Sequence, residues 1–181
     1  MIAGSVAKRY AKALVEAASI TGELIEVGEE IQAIASLFKE NPEIQAFFTN
    51  PSVLLPDKKA LLTNIMEGVK VRPITMDFLR VVLEKGRISH LEGISRLYRD
   101  LVDEKLGRMR ATVTTAFPLP EEAQERLRKR LSEITGKDVY LVLFQDSSII
   151  GGIITQLGNS IVFDGSLRTQ LKKLKEQILK G

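Results

Sequence analysis

Apolar residues recur every three or four positions through the first part of the chain, up to Leu106. This spacing places them on one face of a helix, and prolines and glycines interrupt it. Proline fits the first turn of a helix, and glycine fits the position just after its end. Helices are expected to begin at Pro42, Pro56 and Pro73 and to end at Gly68, Gly86 and Gly107. The pattern predicts six short helices in a bundle.

The first two helices of this bundle carry the clearest apolar stripes. The first stripe is Val6, Tyr10, Ala13, Leu14 and Ala17, and the second is Leu24, Val27, Ile31, Ile34 and Phe38. The sixth helix is expected to begin at Ser89–Glu92, which has the sequence of a capping box. In such a box the serine and the glutamate satisfy the open N–H groups of the first helical turn.

The period changes from helical to alternating after Gly107. Met109, Ala111, Val113 and Thr115 alternate with polar residues, which predicts a strand. A helix from Pro120 to Gly136, a strand from Val139 to Phe144, a hairpin from Ile149 to Phe163 and a last helix through Ile178 follow. The expected fold is α+β, with a six-helix bundle in residues 1–106 and a small α/β domain of order β-α-β-β-β-α in residues 107–181.

Glycines are concentrated in SIIGGIITQLGNSIVFDGS, residues 148–166. Their spacing fits neither a Walker-type phosphate loop nor the dinucleotide-binding fingerprint. The same residues make sense as turns, because Gly-Asn joins hairpin strands and Asp-Gly-Ser can begin a helix. A structural role in turns and in the hairpin is therefore predicted for six residues. They are Gly151, Gly152, Gly158, Asp164, Gly165 and Ser166.

Composition excludes several kinds of active site. The chain has no cysteine and a single histidine, His90, which excludes thiolate and multi-histidine metal sites. His90 lies inside the capping box without a nucleophile pattern beside it, and Asp146 and Asp164 lie where turns favour aspartate. We therefore predict no catalytic residue, no metal site and no cofactor. The longest apolar runs are also far shorter than the ~20 residues that span a membrane.

Basic charge is concentrated in the second part of the chain. Residues 1–105 hold 14 basic and 15 acidic residues, whereas residues 106–181 hold 12 basic and 8 acidic residues. Two basic clusters are Arg126, Arg128, Lys129 and Arg130, and Lys172, Lys173 and Lys175. Nucleic-acid binding is an alternative on these grounds. A solvated face is the favoured reading, because both clusters lie on amphipathic helices without interleaved aromatic residues.

Five stretches together resemble a known family. They are AKRYAKALVEAA (7–18), FFTNPSVLLPDKKALL (47–62), FLRVVLEKGRISHLEGISRLYRDL (78–101), ATVTTAFPL (111–119) and SSIIGGIITQLGNSIVFDGSLRTQL (147–171). In this order they resemble the delta subunit of bacterial and chloroplast ATP synthase, the equivalent of the mitochondrial oligomycin sensitivity conferral protein. The last stretch is the most specific, because its glycines and its Asp-Gly-Ser-x-Arg run recur at the spacing of the family.

The resemblance implies a noncatalytic stator component that joins the catalytic head to the peripheral stalk. In the family, the helical domain receives the N-terminal helix of an alpha subunit between its first and fifth helices. Carried onto this chain, the groove is expected to be lined by residues from both helices. They are Tyr10, Ala13, Leu14, Ala17, Phe78, Val81, Val82 and Lys85.

The resemblance also implies the remaining partners and the location. The second domain is expected to bind the b subunits of the stalk, with no nucleic acid involved and with membrane association only through the complex. The expected location is the cytoplasmic face of the bacterial plasma membrane, and the alternative is the stromal face of the thylakoid membrane. From residue patterns alone, nucleic-acid binding by the basic domain and an enzyme that uses His90 remain the rival hypotheses.

Overall fold

The computed structural model describes residues 2–158, 161–167 and 169. These residues form two compact units, which divide between Val102 and Asp103. The described elements are helices in the first unit and a four-stranded sheet with one further α-helix in the second. The chain is therefore an α+β protein, as the sequence pattern predicts.

Six α-helices begin in the first unit, and prolines and glycines limit several of them. They are α1 (Ile2–Thr21), α2 (Leu24–Glu40), α3 (Pro42–Thr49), α4 (Leu55–Val69), α5 (Pro73–Glu84) and α6 (Leu91–Lys105). Pro42 and Pro73 occupy the first position of α3 and α5, where the missing N–H has no helical partner to lose. Gly22, Gly86 and Gly107 follow three of the helices with positive φ, the conformation that glycine adopts most readily.

The core of the first unit includes Tyr98 of α6, which is almost completely buried. Its hydroxyl donates a hydrogen bond to the carbonyl oxygen of Leu24 at 2.9 Å, and burial raises the pKa of Tyr98 above its ordinary value. Gly28 of α2 lies against the same ring, where a Cβ would be 3.1 Å from the nearest ring carbon. The buried face of α1 consists of Ala7, Ala11, Leu14, Val15 and Ala18.

The start of α6 differs from the predicted capping box. Ile88–His90 form one turn of 3-10 helix, and α6 begins at Leu91. The carboxylate of Glu92 accepts a hydrogen bond from Lys39 of α2 at 2.9 Å instead of reaching back toward Ser89. The capping-box prediction is wrong because the Glu92 carboxylate is bound to Lys39 of another helix.

The second unit contains a four-stranded sheet in the order β2-β1-β3-β4. Its elements are β1 (Arg108–Thr115), α7 (Glu121–Thr135), β2 (Asp138–Gln145), β3 (Ile153–Leu157) and β4 (Ile161–Asp164). β1 pairs in parallel with β2 and antiparallel with β3, and β3 pairs antiparallel with β4. The parallel pair needs a crossover connection, which α7 provides. The hairpin of β3 and β4 is present, as predicted.

One face of the sheet packs on α7 and forms the second core. Ala111, Val113, Val139 and Leu157 are buried there with Leu131 of α7. Ile134, which the apolar spacing places on the same stripe of α7, is 65% exposed. The part of the stripe that packs on the sheet therefore ends at Leu131.

The glycine-rich segment forms turns around the start of β3. Asp146 accepts a hydrogen bond from the N–H of Ser148, and Ser147–Ile149 form a 3-10 turn, so β3 starts at Ile153 and not at the predicted Ile149. Gly152 has a φ of +83°, and a Cβ there would lie 2.4 Å from the carbonyl oxygen of Gly165. The two chain segments are therefore in backbone contact at this point.

The other predicted turn residues lie close by. Gly151 faces Leu167, and a Cβ built on Gly151 would lie 2.9 Å from the nearest carbon of that leucine. Gly158 has a φ of +53°. Asp164 accepts hydrogen bonds from the N–H of Ser166 and the hydroxyl of Thr169, and Ser166 is buried. The predicted last helix, with Leu171, Leu174 and Ile178, lies outside the described residues, as does Asn159 of the hairpin turn.

Gly152→Ala is expected to lower the free energy of unfolding of the second unit by at least about 3 kcal/mol, because it adds a backbone clash to the cost of positive φ. The matched control is Gly136→Ala, which has a φ of +66° but open space around its Cβ. Its loss should stay near 1–2 kcal/mol. Urea denaturation followed by circular dichroism measures both, and equal losses would contradict the close contact.

Candidate partner-binding surfaces

Helices α1 and α5 run in opposite directions beside each other. Glu23, just after the end of α1, forms a salt bridge of 3.1 Å with Arg72, just before the start of α5. Further along the pair, the rings of Tyr10 and Phe78 meet edge to face, with 6.4 Å between their centroids. The outer side of this pair is the candidate site for a helical partner.

The eight predicted groove residues divide into two groups. Leu14 and Val82 are 2% and 0% exposed and belong to the hydrophobic core beneath the pair. Ala13, Val81 and Lys85 are exposed, and Tyr10, Ala17 and Phe78 are half-buried. We call these six accessible residues the α1–α5 surface. Its two rings pack against the core, and its alanines leave room for another chain to approach closely.

Ile20 is a further member of the same face of α1. It follows Tyr10, Ala13 and Ala17 at helical spacing, and it is 88% exposed. The predicted groove does not include Ile20, because the apolar stripe predicted for α1 ends at Ala17. The signal was available in the spacing, since positions 10, 13, 17 and 20 repeat at intervals of three and four.

A carboxylate from α2 holds the start of α5 in place. Glu30 accepts hydrogen bonds from the backbone N–H of Arg72 at 3.2 Å and from its guanidinium at 2.7 Å. The same carboxylate accepts a short hydrogen bond from the hydroxyl of buried Thr75. The bond to Glu30 also holds the pKa of Arg72 above its ordinary value. Glu30 thus caps α5 from a neighbouring helix and positions one side of the α1–α5 surface.

In the second unit, a polar cluster ties the end of α6 to the sheet. The hydroxyl of Tyr140 donates a hydrogen bond to Asp103 Oδ2 at 2.7 Å. The guanidinium of Arg108 lies 3.7 Å from Asp103 Oδ1 and 4.9 Å from the centre of the Tyr140 ring. Burial and the Asp103 contact raise the pKa of Tyr140 to about 12. The second unit begins at Asp103, four residues before the predicted boundary at Gly107.

The arginines of α7 are largely occupied by acidic neighbours. Arg126 pairs with Glu122, Arg130 pairs with Glu133, and Arg128 pairs with both Glu125 and Asp138. Paired charges on an exposed helix give a solvated face and leave little basic potential for a phosphate backbone.

Bulky apolar side chains are exposed where β1 and β2 end. Phe117 follows β1 and is 72% exposed, and Phe144, the penultimate residue of β2, is 56% exposed. Ile150 is exposed in the nearby turn, where it holds a φ of +68° that is rare for a β-branched residue. We call Phe117, Phe144 and Ile150 the sheet-end patch. Large apolar side chains exposed near one end of a sheet are candidates for a binding surface.

The residues considered for catalysis serve the fold. His90 lies half-buried in the 3-10 turn. Its backbone N–H donates a hydrogen bond to the carbonyl oxygen of Arg87 at 2.9 Å. Asp146 and Asp164 accept hydrogen bonds from the N–H groups of Ser148 and Ser166 in their own turns. The contacts of Asp146 and Asp164 are those of turn residues.

Comparison with known proteins identifies the family. The family model described as ATP synthase delta (OSCP) subunit matches residues 6–178. The chain belongs to the ATP synthase delta (OSCP) subunit family. This finding confirms the resemblance seen in the sequence.

Relatives of this delta-family chain match it over nearly their full length. The ATP synthase subunit delta of Desulfatibacillum aliphaticivorans is 41% identical over 173 residues, which cover 96% of this chain and 94% of the relative. That of Myxococcus xanthus is 34% identical and covers 98% of each chain. A chain in the cryo-EM structure of the Toxoplasma gondii mitochondrial ATP synthase hexamer has the same fold, with a TM-score of 0.68 at 21% identity and coverage of 96% and 97%.

The described part of this delta-family chain shows neither a metal-binding cluster nor a membrane-spanning helix. Within residues 2–158, 161–167 and 169, no group of three or more metal-ligating side chains lies together. Over the same residues, no helix has the length and apolar character that crossing a bilayer demands. The features that remain as candidate sites are the α1–α5 surface and the sheet-end patch.

Glu30→Ala is expected to lower the free energy of unfolding by about 2–3 kcal/mol, because it leaves the buried Thr75 hydroxyl and the Arg72 N–H without their acceptor. The control is Glu29→Ala, an exposed neighbour on the same helix, which should change stability by no more than about 0.5 kcal/mol. Urea denaturation measures both variants. Similar losses in the two would show that Glu30 does not cap α5.

Alkaline pH is expected to destabilise the second unit through Tyr140. A tyrosine in the unfolded chain titrates near pH 10, whereas the pKa of Tyr140 is raised to about 12. The resulting stability is complete below pH 10 and is lost as the pH rises from 10 to 12, because the unfolded state releases the proton first. Tyr140→Phe should show a shallower decline in unfolding free energy over this range, and parallel declines would contradict the assignment.

Proposed function

We propose that the chain is the noncatalytic stator subunit of a proton-translocating F-type ATP synthase. In this role it links the N-terminal helix of an alpha subunit in the catalytic head to the b subunits of the peripheral stalk. The link prevents the head from turning with the rotor, so that rotation is coupled to ATP synthesis. Family membership supports the assembly, and the α1–α5 surface is the observation that supports the contact with the head.

The α1–α5 surface has the chemistry that a helix-in-groove contact needs. Val81 is 46% exposed although it is apolar, and Tyr10 and Phe78 are partly buried rings that pack against the core. Ala13 and Ala17 carry only methyl groups, so the backbone of a bound helix can come close to α1. An amphipathic helix laid along this surface buries its apolar side chains against these residues.

The free energy required for this contact is within reach. A joint that stays closed during turnover calls for nanomolar binding, which corresponds to roughly −12 kcal/mol. Burial of a large apolar side chain supplies about 1.5–3 kcal/mol, and several such groups on each partner must also offset the cost of association. A partner helix that touches α1 at one short point would not bury enough apolar surface for nanomolar binding. A partner helix that covers several turns of α1 would.

The second unit is proposed to bind the stalk through two features of different chemistry. The sheet-end patch offers exposed apolar groups to a helix of the b subunits. Basic charge comes from the end of the chain, because residues 106–167 hold seven basic and seven acidic residues while residues 168–181 hold five basic and one acidic. Acidic stalk residues are therefore expected to be attracted by the last residues of the chain and not by α7.

The proposed location follows from the assembly. The two delta subunits described above, at 41% and 34% identity, come from bacteria, which supports the cytoplasmic face of the bacterial plasma membrane over the stromal face of a thylakoid. Membrane association is proposed to occur only through the complex.

Ala13→Arg is expected to weaken binding of the alpha-subunit N-terminal helix at least tenfold, because a charged side chain would occupy the space left by the methyl group. The matched control is Ala33→Arg, on the exposed side of α2, which should bind as the unchanged protein does. Fluorescence anisotropy with a labelled peptide of that helix measures the affinity, and circular dichroism checks folding.

Two outcomes would contradict the proposed contact with the head. One is unchanged peptide binding by a folded Ala13→Arg variant, and the other is no binding by the unchanged protein. Affinity capture by the tagged chain from solubilised membranes tests the assembly itself. Recovery of alpha and b subunits after a high-salt wash is expected, and recovery of nucleic acid without them would favour the rival reading.

A further inference from the structure

Ile20 is the most exposed of the large apolar side chains in the described part of the chain. It is 88% exposed, although it lies in the last turn of a regular helix. The core does not use it, because the buried residues of α1 lie on another face of the helix, from Ala7 to Ala18. The neighbouring Ser19 is only half-buried and Thr21 is exposed. An isoleucine held in water at this position stabilises nothing within the described chain.

Ile20 extends the α1–α5 surface along α1 toward the start of α5. The salt bridge between Glu23 and Arg72 shows that the C-terminal end of α1 lies beside the N-terminal end of α5. Ile20 is therefore at the Arg72 end of the surface, and Lys85, which follows α5, is at the opposite end. From Tyr10 to Ile20 the face of α1 extends about 15 Å, or nearly three helical turns.

Charge distinguishes the two ends of this extended surface. Arg9 of α1 and Lys85 lie at the end opposite to Ile20, both are exposed, and neither forms a salt bridge with a described residue. Lys85 does interact with the neighbouring carboxylate of Glu84, whose main partner is Lys59. One end of the surface therefore favours an acidic side chain, and the other end favours a bulky apolar one.

We infer that Ile20 directly contacts the partner helix and anchors one end of it. The occupant is an amphipathic helix of at least three turns, with an apolar stripe, an acidic residue near Lys85 and a large apolar residue against Ile20. This inference rests on the proposed function, since it extends the surface proposed to receive the alpha-subunit helix. The eight predicted groove residues define neither the contact with Ile20, nor the length of the bound helix, nor which of its ends is acidic and which apolar.

The test compares Ile20→Asp with Ile134→Asp, a substitution of the other strongly exposed isoleucine on a described helix. The probe is a labelled synthetic peptide of the alpha-subunit N-terminal helix from the same organism, and anisotropy gives its Kd. Ile20→Asp is expected to raise the Kd about tenfold or more, because burial of that side chain is lost. Ile134→Asp should leave the Kd unchanged, and both variants should remain folded because both side chains lie in solvent.

A second variant tests the polarity of the surface. Lys85→Glu is expected to raise the Kd severalfold at low salt and less at high salt, because an exposed charge contact is screened. If Ile20→Asp binds the peptide as tightly as the unchanged protein while Ala13→Arg does not, the inference is wrong and the proposed function stands. If the unchanged protein fails to bind the peptide, the proposed contact with the head is wrong, and the inference is wrong with it.

Discussion

The close approach of α1 to the other helices is the constraint on which the first unit depends. Between residues 4 and 21 of α1, three of the five buried residues are alanines, and the Cβ of Ala7 would lie 3.5 Å from a Cβ placed on Gly93 of α6. Side chains this small bring backbones together but fill little volume. The helix therefore commits one narrow face to the core, and its remaining apolar residues stay at the surface.

Several helix limits in the first unit were predictable because the residues that set them act locally, whereas Gly68, the predicted end of α4, lies inside a helix that continues to Val69. Pro42 and Pro73 fix the first turn of their helices, and Gly86 and Gly107 follow the ends of α5 and α6, whatever the rest of the chain does. The start of α6 was missed for the opposite reason. Glu92 has a capping-box spacing, but Lys39 from a distant helix takes its carboxylate. Spacing along the chain gives no information about such a partner.

The candidate site was predictable only in outline. The apolar stripe identified the correct two helices, yet it did not separate Leu14 and Val82, which are buried, from Ala13 and Val81, which are exposed. These residues are neighbours in sequence, and only the packing of α5 on α1 and α2 decides which side of each helix is covered. The cap that Glu30 provides was equally hidden, because its partners Arg72 and Thr75 are far away in the sequence.

The central position of β1 in the sheet has a consequence for how the protein is made. β1 pairs with β2 and β3, as in the pairs Arg108–Asp138 and Ala111–Leu157. Both partner strands are later in the sequence, so β1 leaves the ribosome before either of them. Among the described residues, those that form the core of the helical unit end at Val102. Non-local pairing is also the slower process in folding. During synthesis, the surface on α1 and α5 is therefore completed while the strands that flank β1 are still being added.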